Sequence, residues 1–272
     1  MNKKVIVTAL AITAAASAMA SEMPWAKDFD SAKQVAAQSG KLIMLDFYVD
    51  GDSWCKKLDA DTFSDASVIK AAGRFVPIRV NAVKEGADLS TKYNVFIYPG
   101  VKFIDANGDI FGDISGYLPP GDFMEAMMDI QDIYKNYPAA QKTLAKNPND
   151  GAANVLMARV DAARRDAASA KAALSKIEAA HYDGPGLAKA YNAVGDLYQI
   201  LGDAKGAIGY FTKGLDAGKV VADKAYSLVS IMSCYANTGD KDNAKKFAKQ
   251  LKALDGISKE FADYADQILG GE

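Results

Sequence analysis

Thiols are scarce in this chain: of 272 residues, only Cys55 and Cys234 carry one. Two cysteines cannot make a disulfide framework for a chain of this size, so a packed core has to hold the fold. Histidine occurs once, as His181 in His181-Tyr182-Asp183-Gly184. A histidine-based catalyst or zinc centre has no partners there, and no metal or other cofactor is expected. No block of lysine or arginine occurs and the formal charge is only −2. That balance argues against nucleic acid or an anionic membrane as a main partner. A P-loop, a glycine-rich dinucleotide loop and a serine-nucleophile motif are all missing, which removes the common nucleotide and hydrolase chemistries.

What is present begins with residues 1–20. Lys3 and Lys4 precede the apolar run Val5 to Ala16, and Ala18-Met19-Ala20 forms a small-x-small site before Ser21. This is the pattern of a secretory signal peptide, too short and wrongly flanked for a membrane span. No second long apolar run follows. The mature chain is expected to be exported, soluble and periplasmic, without membrane insertion.

The remainder has two grammars. Residues 21–137 mix strand and helix signals. Asp30-Ser31 predicts a helix cap for a segment that Gly40 ends, and Leu42 to Tyr48 reads as a strand buried on both faces. A helix is expected from Asp52, broken near Ser64-Asp65. Phe75 to Val80 reads as a strand in spite of Pro77, and Ala106-Asn107-Gly108 as a hairpin turn between strands. Pro119-Pro120-Gly121-Asp122 opens a Met- and Ile-rich helix. The order predicts an α/β domain, a small sheet covered by helices on both sides.

Residues 138–272 carry helical signals only, with a repeat. Asp166, Asp203 and Asp240 stand 37 apart, as do Ala170, Ala207 and Ala244. Each Asp closes a short turn between two helical patterns, so each repeat reads as a helix pair. Such pairs cannot bury their apolar faces alone and are expected to stack into an all-α solenoid. Val194-Gly195, Tyr198, Gly202-Asp203, Ala207-Ile208 and Phe211 resemble the tetratricopeptide consensus. Ile257 to Leu269 is expected to cap the array.

Further features of the first half resemble the thioredoxin superfamily. Trp25, Phe29, Ala32 and Gly40-Lys41 precede Leu45-Asp46-Phe47, then come Lys56-Lys57-Leu58, Phe63-Ser64-Asp65 and Phe75-Val76-Pro77. Tyr93-Asn94-Val95 with Tyr98-Pro99 matches the segment that carries the family's cis-proline, Gly100 replacing the usual threonine. Without a gap, the resemblance puts Asp52 where the family has its attacking cysteine and Cys55 where it has its resolving one. A second register, with an insertion before Trp54, makes Cys55 the attacking thiol and Leu58 the lost partner. Neither register supplies two thiols. The resemblance also implies that Asp46 is a buried carboxylate serving the resolving thiol. It further implies a mixed sheet flanked by helices, and that Pro99 is cis in a loop that presents backbone to an extended chain.

Two functions from different classes follow. In the first, the protein binds a client or partner protein as an adaptor or chaperone-like module. The repeats form one surface, and Asp52, Trp54, Tyr98 and Pro99 line a second along the cis-proline edge. In the second, Cys55 is the catalytic thiol of a monothiol oxidoreductase, helped by Asp46. A helix start and Lys56-Lys57 favour the thiolate, whereas Asp52 and burial oppose it. Cys234, inside a helix beside Tyr235, reads as a small buried hydrophobe rather than a partner for Cys55.

Overall fold

Local signals set most element ends. The computed structural model describes residues 22–270, so the signal peptide read over residues 1–20 lies outside the described residues. Helix α1 spans Phe29–Ser39, and its cap is Asp28 rather than Asp30-Ser31. The Asp28 carboxylate accepts from the Ser31 amide, and the Ser31 hydroxyl accepts from the Asp28 amide, closing a reciprocal box. Gly40 then ends the helix in a left-handed conformation. Strand β1 (Ile43–Tyr48) follows, then α2 (Ser53–Lys57), which widens into one π-helical turn over Leu58–Thr62. Next come α3 (Ala66–Ala72), β2 (Val76–Asn81), α4 (Ala87–Lys92), β3 (Gly100–Ile104) and β4 (Ile110–Ser115).

The four strands form one mixed sheet in the order β2-β1-β3-β4. Strand β1 runs parallel to β2 and antiparallel to β3, and β3 to β4 is the expected hairpin. Pro77 is tolerated because β2 is an edge strand, where a missing N–H breaks no central ladder. Its carbonyl accepts from the Ala26 amide at 2.7 Å, so the segment ahead of α1 lies along that edge. One face of the sheet packs Met44, Phe103 and Phe111 against Phe123, Met127, Ile130 and Ile133 of α5 (Pro120–Lys146). The other packs Leu45, Phe47 and Ile78 against Ala32 and Ala36 of α1.

The helix α5 runs unbroken through residues 137 and 138, where the sequence grammar changes. Three helix pairs follow: α6 (Gly151–Ala163) with α7 (Ala167–Ala179), α8 (Leu187–Ile200) with α9 (Ala204–Ala217), and α10 (Val221–Asn237) with α11 (Lys241–Lys252). The last helix, α12 (Lys259–Leu269), packs on α10 and α11. Asp166, Asp203 and Asp240 cap the second helix of their pairs, accepting from Ser169, Gly206 and Asn243 amides at 2.8–3.1 Å. The periodic Ala170, Ala207 and Ala244 are buried where the paired helices meet. Val160 of α6 belongs to the sheet's own core, so the two halves share apolar contacts.

Gly195 shows how close one pair packs: a Cβ there would lie 2.6 Å from the Phe211 ring. Gly195→Ala should therefore cost about 1–3 kcal/mol by overpacking, with little change elsewhere. Chemical denaturation measures this, and a variant as stable as the parent would show that α8 and α9 can separate freely.

Candidate functional site

The site grows from the end of β1. Beyond Tyr48 the chain turns at Gly51, whose φ of 83° suits glycine, and Asp52 caps α2. The Asp52 Oδ1 accepts from the Cys55 amide at 2.8 Å. That hydrogen bond holds the Asp52 carboxyl below its ordinary range. Cys55 points inward and is 3% exposed. Burial pushes its thiol up to about 11, opposed by a backbone hydrogen bond at Val49 and reinforced by Asp52 and, more weakly, Asp46. A thiol held there is almost wholly protonated at neutral pH. Cys234 is also free and buried, in α10, likewise pushed up to about 11 by burial.

Asp46 is fully buried in β1. Strand register sets it opposite Arg79 of β2, and the Arg79 Nε lies 3.0 Å from Asp46 Oδ2. The contact is an ion pair, and both Asp46 oxygens lack a hydrogen-bond partner. Burial dominates and raises the carboxyl to about 7, against the pull of Arg79. The guanidinium also pairs with Asp59 at 2.8 Å and lies 4.3 Å from the Tyr48 ring and 5.7 Å from Trp25. Arg79 was missed as a site residue by sequence reasoning. Its signal was a lone charge in the apolar strand Val76 to Asn81, which only cross-strand register connects to Asp46.

The direction of the Asp46 displacement fixes a pH dependence. Between about 4 and about 7 the folded chain keeps a proton that the unfolded chain releases, so stability falls as pH rises through that window. Each pH unit in it is worth at most about 1.4 kcal/mol. Asp46→Asn should remove this slope. Urea unfolding at pH 5 and pH 8 should show the parent losing more stability than the variant between them. Equal losses would mean that Asp46 ionises in the fold as readily as in the unfolded chain.

The Phe47–Gly100 register brings the loop ending at Pro99 to the same end of the sheet as α2. The Tyr98–Pro99 peptide is cis. Tyr98 is half-buried, and its hydroxyl is directed to the Val95 carbonyl and Ser90 Oγ, each at 3.3 Å, rather than offered outward. The side chains this loop does expose are Phe96, at 73%, and Ile97. Trp54 is exposed and tilted against Tyr117, centroids 5.9 Å apart, with the Lys57 ammonium 4.6 Å over the Tyr117 ring. Tyr117 in turn donates to Asp61 at 3.0 Å. Sequence reasoning singled out Trp54 and Tyr98 but missed Phe96, Ile97 and Tyr117. Two adjacent apolar residues ahead of Tyr98-Pro99 were the available sign. Among the described residues, no group of three or more His, Cys, Asp or Glu side chains could hold a metal ion.

A parallel β1–β2 pair, an antiparallel hairpin, a cis-proline before β3 and a helix capped at β1's end define a thioredoxin-like domain. Residues 29–131 match the family model of that description. Among curated proteins, the thiol:disulfide interchange protein DsbD of Ralstonia nicotianae is 34% identical over 85 residues, 30% of this chain and 14% of that protein. DsbD of Yersinia pestis is 31% identical over 111 residues, 40% of this chain and 18% of the relative. The aligned stretch thus spans less than a fifth of either protein, 14% and 18%. Among solved structures, the DsbH oxidoreductase is 18% identical with a TM-score of 0.38, covering 47% of this chain and 94% of its own. The reduced C-terminal domain of Neisseria meningitidis DsbD is 27% identical with a TM-score of 0.32, covering 36% and 88%. No helix among the described residues is long and apolar enough to cross a membrane.

Proposed function

We propose that this protein is an exported binding module that keeps the thioredoxin-like scaffold without dithiol exchange. Its repeats, read as a tetratricopeptide-like solenoid over residues 138–272, hold a partner or client protein. The rim around Asp52, Trp54, Tyr98 and Pro99 of residues 21–137 is the second contact surface. The observation that carries this reading is Cys55: buried, and three residues after a carboxylate where exchange needs a second thiol. The exposed Phe96 and Ile97 beside the cis-proline add apolar area that a bound chain would cover. The similarity to thiol:disulfide interchange proteins supports a second reading, a monothiol oxidoreductase whose mixed disulfide at Cys55 is resolved by another thiol.

The rate of Cys55 alkylation against pH, in a Cys234→Ala background, separates the two. The binding reading expects slow modification with a midpoint well above 9, consistent with a thiol pushed up to about 11. Fast modification with a midpoint near 7 would overturn it and direct attention to trapped mixed disulfides.

A further inference from the structure

Helix α11 carries Lys241, Lys245, Lys246, Lys249 and Lys252 against one acid, Asp242, in a chain whose formal charge is −2. All six of these residues are exposed, while Ala248 and Leu251 are buried against α10 and α12. With about 3.6 residues per turn, the five lysines fall within one arc of about 140° on the outward side. Chain-wide charge argued against an anionic membrane, but that count averages away a face that the helical period gathers.

The fold itself does not ask for these lysines. At the equivalent places in α7 and α9, 37 and 74 residues earlier, only Lys171 is basic, and Ala167, Ala204, Gly209 and Thr212 serve as well. Lys241 and Lys245, and again Lys245 and Lys249, are like charges four apart, an arrangement that destabilises a helix. A merely solvated face mixes both signs.

Nearby acids leave most of the excess in place. Lys252 pairs with Asp266 of α12 at 2.6 Å, and Asp263 is taken by Lys259 at 2.9 Å. Among the described residues, Lys241, Lys245, Lys246 and Lys249 form no ion pair. Glu260, the remaining acid of α12, stands by Asp122 of α5, whose carboxyl is raised by burial and then by Glu260 and Glu125. Asp223 of α10 is likewise raised by burial, with Lys189 opposing and Glu125 and Asp129 reinforcing. These acids gather around α5, which packs on α3, α6 and β4. Charge is thus segregated, acidic about α5 and basic on the outside of α11.

We propose that the outer face of α11 docks the protein on an anionic phospholipid surface, with Lys241, Lys245, Lys246 and Lys249 over the headgroup phosphates. A convex helix face offers neither the groove nor the strand edge that an extended peptide needs. Lysine, a flexible point charge without arginine's planar fork, suits a diffuse array of phosphates rather than one fixed anion. Contact is adsorption without insertion, because the apolar side of α11 is committed to α10 and α12 and the exposed large apolar residues lie on other elements. The face is independent of any reading of Cys55, and it leaves the acidic side around α5 turned from the lipid.

Co-sedimentation of the whole mature chain with vesicles tests it, using phosphatidylcholine alone and an equal mixture with phosphatidylglycerol. Partition into the anionic vesicles only is expected, weakening about tenfold or more between about 0.05 M and 0.3 M salt. Each lysine near such a surface strengthens binding about fivefold, so Lys241→Gln, Lys245→Gln, Lys246→Gln and Lys249→Gln together should lose about tenfold or more. Helix content and Tm should hold, since no ion pair is removed. The same change at the exposed Lys70, Lys92, Lys142 and Lys146 alters net charge equally and should leave partition within about threefold of the parent. Equal partition into both vesicles, or equal loss in the two quadruple variants, would overturn the proposal. So would displacement by glycerol phosphate beyond that by chloride at equal ionic strength, which would assign a free phosphate. Tighter binding of duplex DNA than of the anionic vesicles would assign nucleic acid instead. Salt-sensitive pelleting without vesicles would assign the lysines to acidic side chains of a second copy.

Discussion

Asp52→Cys should give this chain dithiol exchange, a gain of about 100-fold or more over the parent in the rate of reducing a model disulfide. The substitution acts twice. It removes the carboxylate that takes the Cys55 amide and whose charge and hydrogen bond both raise the Cys55 thiol. It also sets a new thiol at the cap of α2, where the freed Cys55 amide and the helix end favour a thiolate. Residues three apart at a helix start are neighbours, so the pair is placed for an intramolecular disulfide. The lost cap should cost about 1 kcal/mol, too little to unfold a domain of this size. Asp52→Asn is the control, since it lowers the Cys55 thiol without adding a second one. Exchange in the Cys variant alone would show that the missing thiol was the only missing part. Silence in both, with the new disulfide formed, would mean that the surroundings have diverged as well. Arg79 against Asp46 would then be the first suspect, because its positive charge opposes the burial that raises the Asp46 carboxyl.

The parts of this molecule legible in the sequence are those set by local chemistry. Gly40 ends a helix and Asp65 begins one because their own backbone or side chain does the work within a few residues. The spacing of Asp166, Asp203 and Asp240 announced three turns because a cap acts on the amide three residues on. The cap of α1 was misplaced by two residues since Asp28, Asp30 and Ser31 are all good cap residues, and only the reciprocal Asp28–Ser31 bonds choose among them. Pro77 looked like an objection to a strand until the sheet order put it on an edge. At the candidate site, Cys55, Asp52 and Asp46 were placed by the resemblance to the thioredoxin superfamily, all within one segment. Arg79 and the Lys102–Asp113–Arg165 cluster were not, because each pairing joins separate segments of the chain through strand register or helix docking. A single charged residue inside an apolar strand marks such a group but does not name its partner. Asp113 lies 52 residues from Arg165, and nothing local connects them.

Asp113→Asn should produce the largest loss of stability among single substitutions outside the apolar core, about 3–5 kcal/mol. Among the described residues, Asp113 is the one carboxylate within ion-pair distance of both Lys102 and Arg165. Its removal leaves an ammonium that is 2% exposed with no counter-charge, in a position where burial already pushes Lys102 below its ordinary value. An unpaired buried charge costs far more than the pair contributed, which is why the single substitution is severe. For a chain this long the loss lowers Tm by about 10 °C, at roughly 2–4 °C per kcal/mol. The sign of its pH dependence follows from Lys102. A lysine depressed in the fold binds fewer protons there than when unfolded, so the variant should regain stability as pH rises toward the ordinary lysine value. Lys102→Met added to Asp113→Asn should recover a large part of the loss at neutral pH, since the buried ammonium is gone and the apolar stem remains. Arg165, nearer to solvent at 13% side-chain exposure, can hydrate and should account for the remainder. Thermal unfolding of the two variants and the parent, repeated at pH 7 and pH 9.5, decides it. A double variant no better than Asp113→Asn would place the cost in Arg165 and the docking of the helix pairs, rather than in a buried lysine within the sheet.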